Sequence, residues 1–207
     1  LHDRRDCHFV TPARARSNDV CVRGAEGEVP TFILVGDSHA DAISPAVFEA
    51  AAEMGMAGYQ YTDAGFLPLP GVWRLGGRAT DAAEALIAFI EAHPSIETLI
   101  VMRYWQHQIT GYTYRHSGDV WIDEDYDSSG AAYNETAIRT GLARLSERLP
   151  LRRIILLDDF PSGDALHVRS QLRQMSRSDV SGIGLEKSEW TRQRETFDGV
   201  LEDVSAQ

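Results

Sequence analysis

Several short apolar runs that do not alternate with polar residues constrain this chain most. Thr31 to Val35, Thr98 to Met102 and Arg153 to Leu157 are strand-length and rich in Val, Ile, Leu and Met. Tyr59 to Thr62 is a further, more polar run. A strand with one wet face alternates apolar and polar residues; a strand covered on both faces reads as continuous. Between the runs, apolar residues recur at helical spacing. Helices are predicted from about Ala42 to Met54 (Ile43, Val47, Ala51 and Met54 on one face) and from Thr80 to His93 (Ala83, Leu86 and Ile90 inward). Two more are predicted from Ala131 to Leu149 (Ile138, Leu142, Leu145 and Leu149) and from Glu186 to Val204 (Trp190, Phe197, Leu201 and Val204). Such alternation predicts an α/β fold, a three-layer α/β/α sandwich with a mostly parallel, doubly wound sheet. Ligands of such sheets bind beyond the carboxyl ends of the strands. Segments 36–41, 63–71, 103–130 and 158–170 are therefore the ones to inspect.

At 207 residues the chain suits one main domain, placed at 31–207. Residues 1–30 read as a polar, irregular N-terminal extension, 65–77 as a Gly/Pro loop, and 106–130 as a polar insertion. Within the insertion, Tyr112 to Tyr114 and Val120 to Ile122 flank Ser117-Gly118-Asp119, a predicted hairpin. Cys7 and Cys21 stand in the extension at a spacing wrong for a zinc clip. They are either a disulfide or two thiols. The chain begins with Leu1 and its last helix is not followed by another strand, so it reads as a fragment with a final strand still to come.

Acidic residues outnumber basic ones, 31 to 20, and Lys187 is the only lysine. Duplex binding needs clustered cations to displace counterions, so nucleic acid is excluded as a partner. No apolar stretch reaches bilayer length. Gly36 stands alone rather than in a phosphate-binding glycine loop, and no His or Cys pairs have ligand spacing. Neither a metal nor a cofactor is called for.

The sharpest local feature is Gly36-Asp37-Ser38-His39-Ala40, between the first strand and the first helix. A serine here stands at the sheet's carboxyl edge beside the free amides of a helix N-terminus. Such amides can hold the oxyanion of an acyl-transfer intermediate. Alternatively, Asp37 or Ser38 simply caps the helix.

Gly36-Asp37-Ser38-His39 resembles the first block of the SGNH (GDSL-like) esterase and acyltransferase superfamily. The chain is similar in particular to the SGNH domain fused behind integral-membrane acyltransferases of family 3, which modify bacterial surface polysaccharides. The likeness runs from Cys7 to Gln207. It includes Ile33 to Ala40, Pro45, Phe66 to Gly71, Val101 to Trp105 and Leu156 to Pro161. The resemblance implies an SGNH/flavodoxin-like sandwich with Ser38 as nucleophile, its own amide forming part of the oxyanion hole. Gly65, just past the second strand, is the candidate for a second oxyanion amide, or a turn glycine. An asparagine normally follows the third strand in this superfamily. Here Arg103, Tyr104, Trp105 and Gln106 stand instead; Arg103 or Gln106 could donate, or Arg103 could pair with an acid while Trp105 packs.

A serine nucleophile needs a histidine base oriented by an acid. The superfamily supplies them as Asp-x-x-His after a fifth strand, which places them beyond Gln207. Asp164 and His167 have that spacing, but follow the fourth strand and read as the start of a helix. His39 reads as a structural member of its block, and His107 and His116 as loop residues. Tyr104, Trp105, Tyr112, Tyr114, Trp121 and Tyr126 gather around the insertion, either as a glycan cleft or as its own small core.

The expected function is a serine-dependent O-acyltransferase that moves an acyl group, acetyl by resemblance, to a cell-surface polysaccharide. The implied partners are the membrane-embedded acyltransferase domain of the same protein and a glycan acceptor. The implied place is the periplasm or another extracytoplasmic site. The rivals are a carbohydrate O-acetyl esterase and a degenerate glycan-binding module.

Overall fold

The computed structural model describes residues 7–76, 81–110, 120–127, 133–149, 151–158 and 187–205. Its main sheet comprises β1 (Cys21–Gly24), β2 (Pro30–Gly36), β3 (Ala57–Thr62), β5 (Thr98–Met102) and β7 (Arg153–Leu157). Their order is β1-β3-β2-β5-β7. β3, β2, β5 and β7 run parallel, and β1 is antiparallel on β3. A second, two-stranded sheet joins β4 (Trp73–Arg74) to β6 (Trp121–Ile122). The helices are α1 (Pro12–Arg16), α2 (Ser38–Glu53), α3 (Ala82–Ala92), α4 (Trp105–Thr110), α5 (Asn134–Arg148) and α6 (Lys187–Ser205).

The unbroken apolar run of β2 serves two cores. Phe32 and Leu34 point to one face and pack with Ala40, Phe48 and Ala51 of α2. Ile33 and Val35 point to the other and join Leu86 and Ile90 of α3 and Ile138 and Leu142 of α5. Both faces are therefore covered, and the strand needs no polar side. The path from β2 through α2 leads to β3 on one side. The next strand of this sheet, β5, lies on the other side of β2. This reversal opens a crevice at the carboxyl end of β2.

The structure revises several local expectations. Residues 7–30 are not irregular: they supply α1 and the edge strand β1, tied by the Cys7–Cys21 disulfide with the two Cα atoms 5.3 Å apart. The Gly65–Gly77 loop contains β4, whose described partner is β6; the Tyr112–Tyr114 arm of the expected hairpin lies outside the described residues. The insertion also holds the short helix α4.

Helix α2 starts at Ser38 rather than Ala42, and its buried face carries Ala40, Asp41, Ser44, Phe48 and Ala51. Met54, expected inward, is 72% exposed. Two polar residues disguised this face. Asp41 Oδ1 accepts from Gln60 Nε2 at 3.1 Å, and the Ser44 hydroxyl accepts from Arg23 at 3.0 Å. Pro45 lies inside α2 and has no N–H for the Asp41 carbonyl. The Ser44 hydroxyl donates to that carbonyl instead, at 2.9 Å.

The disulfide closes a loop of about 15 residues, worth roughly 3 kcal/mol in the chain-entropy view. Replacing Cys7 and Cys21 together by Ser should lower the midpoint of thermal unfolding by about 6–12 °C. Calorimetry of both proteins, with and without reductant, checks this: reductant should lower the wild-type midpoint and leave the variant unmoved.

Candidate active site

The site begins where β2 ends. A Cβ on Gly36 (φ +155°) would sit 1.8 Å from the Met102 carbonyl oxygen. Only glycine lets β2 pass β5 this closely before turning into α2. Asp37 then caps α2, its Oδ1 accepting from the His39 amide at 2.8 Å. Its Oδ2 accepts from the Tyr104 amide at 3.0 Å, which joins the start of α2 to the end of β5. Arg103 Nη2 lies 3.7 Å from Oδ2, and His39 Nδ1 lies 3.3 Å from Oδ1. Burial pushes the Asp37 carboxyl up, but the His39 ring, the Arg103 guanidinium and the two amides outweigh it and hold it at about 2. Asp37 is thus a fixed anion at neutral pH.

Ser38, the first residue of α2, is exposed. Among the described residues its hydroxyl makes no hydrogen bond. Its amide lies in the first turn, where no intrahelical acceptor exists.

Gly65 lies beyond β3 in a turn docked on the same strand end. The Asp63 amide donates to the Gly36 carbonyl at 3.1 Å. The turn's own bonds engage Ala64 N–H, on Asp63 Oδ1 at 2.8 Å, and Phe66 N–H, on the Asp63 carbonyl at 3.2 Å, and pass over that of Gly65. Gly65 has φ +66°, a left-handed conformation suited to glycine. Arg103 Nη2 donates to its carbonyl at 3.4 Å. Ser38 and Gly65 share a cleft of about 360 Å³, with Asp37, His39, Tyr104, Gln108 and Trp121 in its walls. The His39 ring stacks on Tyr104 with centroids 4.6 Å apart.

The structure separates the remaining candidates. Arg103 is fully buried beside Asp37 and is not in the cleft lining, so it pairs with an acid. Burial draws its guanidinium down, Asp37 partly restores it, and at about 10 it stays charged at neutral pH. Gln106 is also absent from the lining. Asp164, His167, His116, Tyr112 and Tyr114 lie outside the described residues. The aromatic group divides: Tyr104 and Trp121 face the cleft, whereas Trp105 is fully buried, donating to the Leu157 carbonyl at 2.9 Å. Tyr126 packs on Tyr133 with centroids 5.4 Å apart.

Two cleft residues escaped the sequence reading, Arg74 and Gln108. Neither has a motif around it. The usable signal for Gln108 was its place one helical turn after the large apolar anchor Trp105. A second cavity, of about 520 Å³, shares Ala64, Gly65, Arg74 and Trp121 with the first and adds Trp73 and Phe66 to its walls. Among the described residues no group of His, Cys, Asp and Glu could hold a metal ion.

The lowered pKa makes Asp37 a stabilising anion above about pH 4, and that contribution drains as pH falls toward 2. It amounts to about 2 kcal/mol at neutral pH. Asp37→Asn should cost at least this much at pH 7, because it also strips Arg103 of its counter-charge. Urea unfolding of both proteins from pH 7 to 2 should show the gap narrowing only below about pH 4.

The family model of the SGNH domain (fused to AT3 domains) matches residues 6–207. Among solved structures, the periplasmic domain of the lipopolysaccharide acetyltransferase of Salmonella ser. Paratyphi A superposes with a TM-score of 0.61 at 16% identity, covering 97% of this chain and 71% of that one. At such identity the likeness carries the fold alone. No curated protein matches the chain. Family membership supports chemistry of the acyl-transfer or esterase type. With its family match running from residue 6 to the last residue, the chain belongs to the SGNH domains fused to AT3 domains.

Proposed function

We propose that this domain is a serine-dependent O-acyltransferase that passes an acyl group, acetyl in the simplest case, to a hydroxyl of a cell-surface polysaccharide. The observation that carries the reading is the Ser38 hydroxyl, exposed in a cleft at the carboxyl end of β2 beside the free first-turn amide of α2. In this reading the Ser38 oxygen attacks the carbonyl of an acyl donor. The amides of Ser38 and Gly65 hold the negative charge that develops on the carbonyl oxygen. The hydroxyl proton passes to a histidine imidazole oriented by an acid. Asp164 and His167 are one source of that pair; the other is a pair carried by the longer protein. The acyl-serine is then relieved by a sugar hydroxyl, which restores Ser38.

Three further features support the assignment. The family's fusion to AT3 domains supplies a membrane-embedded acyltransferase to deliver the acyl group. The Cys7–Cys21 disulfide suits an oxidising, extracytoplasmic compartment. The adjoining cavity walled by Trp73 and Trp121, with Asp63, Arg74 and Asp81 around it, joins apolar ring faces to groups that bond hydroxyls. Those are the two surfaces of a sugar. If water takes the place of the sugar, the same site is a carbohydrate O-acetyl esterase.

A serine-directed phosphonate ester applied to the full-length protein tests the reading. Mass spectrometry should find the adduct on Ser38, and Ser38→Ala should abolish both adduct and acetyl transfer. Sugar binding with neither labelling nor turnover would make the domain a glycan-binding module. Hydrolysis of acetylated sugars with no transfer would make it an esterase.

A further inference from the structure

We infer that the cavity of about 520 Å³ beside the Ser38 cleft seats an uncharged sugar ring of the acceptor, and that Trp121, which stands in the walls of both spaces, holds that sugar where one of its hydroxyls meets the acyl-serine. The inference rests on Ser38 as nucleophile and adds where the acceptor lies. Ala64, Gly65, Arg74 and Trp121 belong to both walls, so the cavity continues into the cleft rather than opening elsewhere on the domain. A Cβ on Gly65 would meet nothing within 4 Å, so the passage is open at that point.

Two buried polar atoms indicate the chemistry of the ligand. Trp121 Nε1 and Gln108 Oε1 are both enclosed, and neither has a hydrogen-bond partner. Folded proteins retain few such atoms. One is a donor and the other an acceptor. A hydroxyl group both gives and takes a hydrogen bond, so alcohol functions can satisfy the two together; an alkyl or acyl chain satisfies neither. Asn134, fully buried, joins the backbones of these two residues. Its Oδ1 accepts from the Trp121 amide at 2.7 Å and its Nδ2 donates to the Gln108 carbonyl at 2.8 Å. The main chain is thus fixed on both sides, and the two side-chain atoms are left for a ligand.

Shape and charge favour a neutral sugar. Arg74 and Trp121 are directly opposed in the β4–β6 ladder and so share one of its faces. Trp73 adds a half-buried indole, and Phe66 and Val72 add apolar surface. Such a wall receives the C–H face of a sugar ring, while a few polar groups fix its orientation. Asp63 and Asp81 stand in the wall with Arg74, and Arg16 pairs with Asp81. Two acids against two arginines leave no net charge, so the cavity offers no surplus cation to a carboxylate- or phosphate-bearing sugar.

In the acceptor step the sugar oxygen bonds to the acyl carbon as its proton passes to the histidine base. The carbonyl π pair moves onto the carbonyl oxygen and returns. The bond from that carbon to Ser38 Oγ breaks, and the proton held by the base restores the Ser38 hydroxyl. Water can make the same attack, so a seated sugar decides whether transfer or hydrolysis follows.

The test uses the full-length protein and, as probe, the surface polysaccharide of the producing cell freed of its esters by mild base. Calorimetric titration into protein carrying Ser38→Ala measures binding without turnover. Adding Trp73→Ala should weaken binding about tenfold or more, as loss of a stacking indole does. Adding Trp121→Phe, which keeps a ring and removes the N–H, should weaken it about fivefold. Trp73→Phe should recover most of the affinity. With Ser38 intact and p-nitrophenyl acetate as donor, the ratio of acetylated polysaccharide to free acetate should fall by similar factors, and thermal melts identify any variant that misfolds. The proposal is overturned if the wild type binds no polysaccharide, if Trp73→Ala and Trp121→Phe both bind within about twofold of the parent, or if binding falls while the ratio holds. Transfer that persists in Ser38→Ala removes the serine reading instead, and the titration still decides the cavity.

Discussion

The Asp37 carboxylate is the interaction on which the site's geometry depends. It takes the His39 amide from the start of α2 and the Tyr104 amide from the end of β5. Two chain segments that diverge from adjacent strands are thereby pinned to one side chain. Gly36 makes the approach possible, since any larger residue would collide with Met102. The exposed hydroxyl of Ser38 next door inherits its position from this arrangement. Helix capping by Asp37 and the proposed role of Ser38 are thus compatible readings of the pair: the cap fixes where the hydroxyl stands.

The cleft assembles from the three loops that follow β2, β3 and β5. That is what a doubly wound sheet provides at its reversal point. The small sheet of β4 and β6 adds the far wall by bringing Arg74 and Trp121 over the same opening. The core of the domain stays separate from this chemistry. Its apolar clusters lie above and below the strands.

Legibility in the sequence followed burial. β2, β5 and β7 declared themselves because both faces are apolar, and the structure keeps their expected limits to within a residue. β1 did not, because Arg23 and Gly24 sit in an edge strand paired on one side only. Two-residue strands such as β4 and β6 carry no pattern at all. The face of α2 was misjudged because Asp41 and Ser44 are inward polar residues whose partners, Gln60 and Arg23, come from other strands. Ser38 could be located because its neighbours form a recognisable string after a strand. Gln108 could not, since nothing in a polar segment distinguishes a solvated glutamine from one buried in a cleft wall.

Arg103 gives the buried end of the site an electrical balance. Asp37 alone would place a full negative charge beside the very amides best suited to attract another. The guanidinium beside it, enclosed and permanently protonated in the neutral range, offsets that charge. To an incoming carbonyl the pair looks like a dipole rather than a monopole, and its field fades faster with distance. The helix mouth can therefore be held rigid by an anion without becoming hostile to a second one.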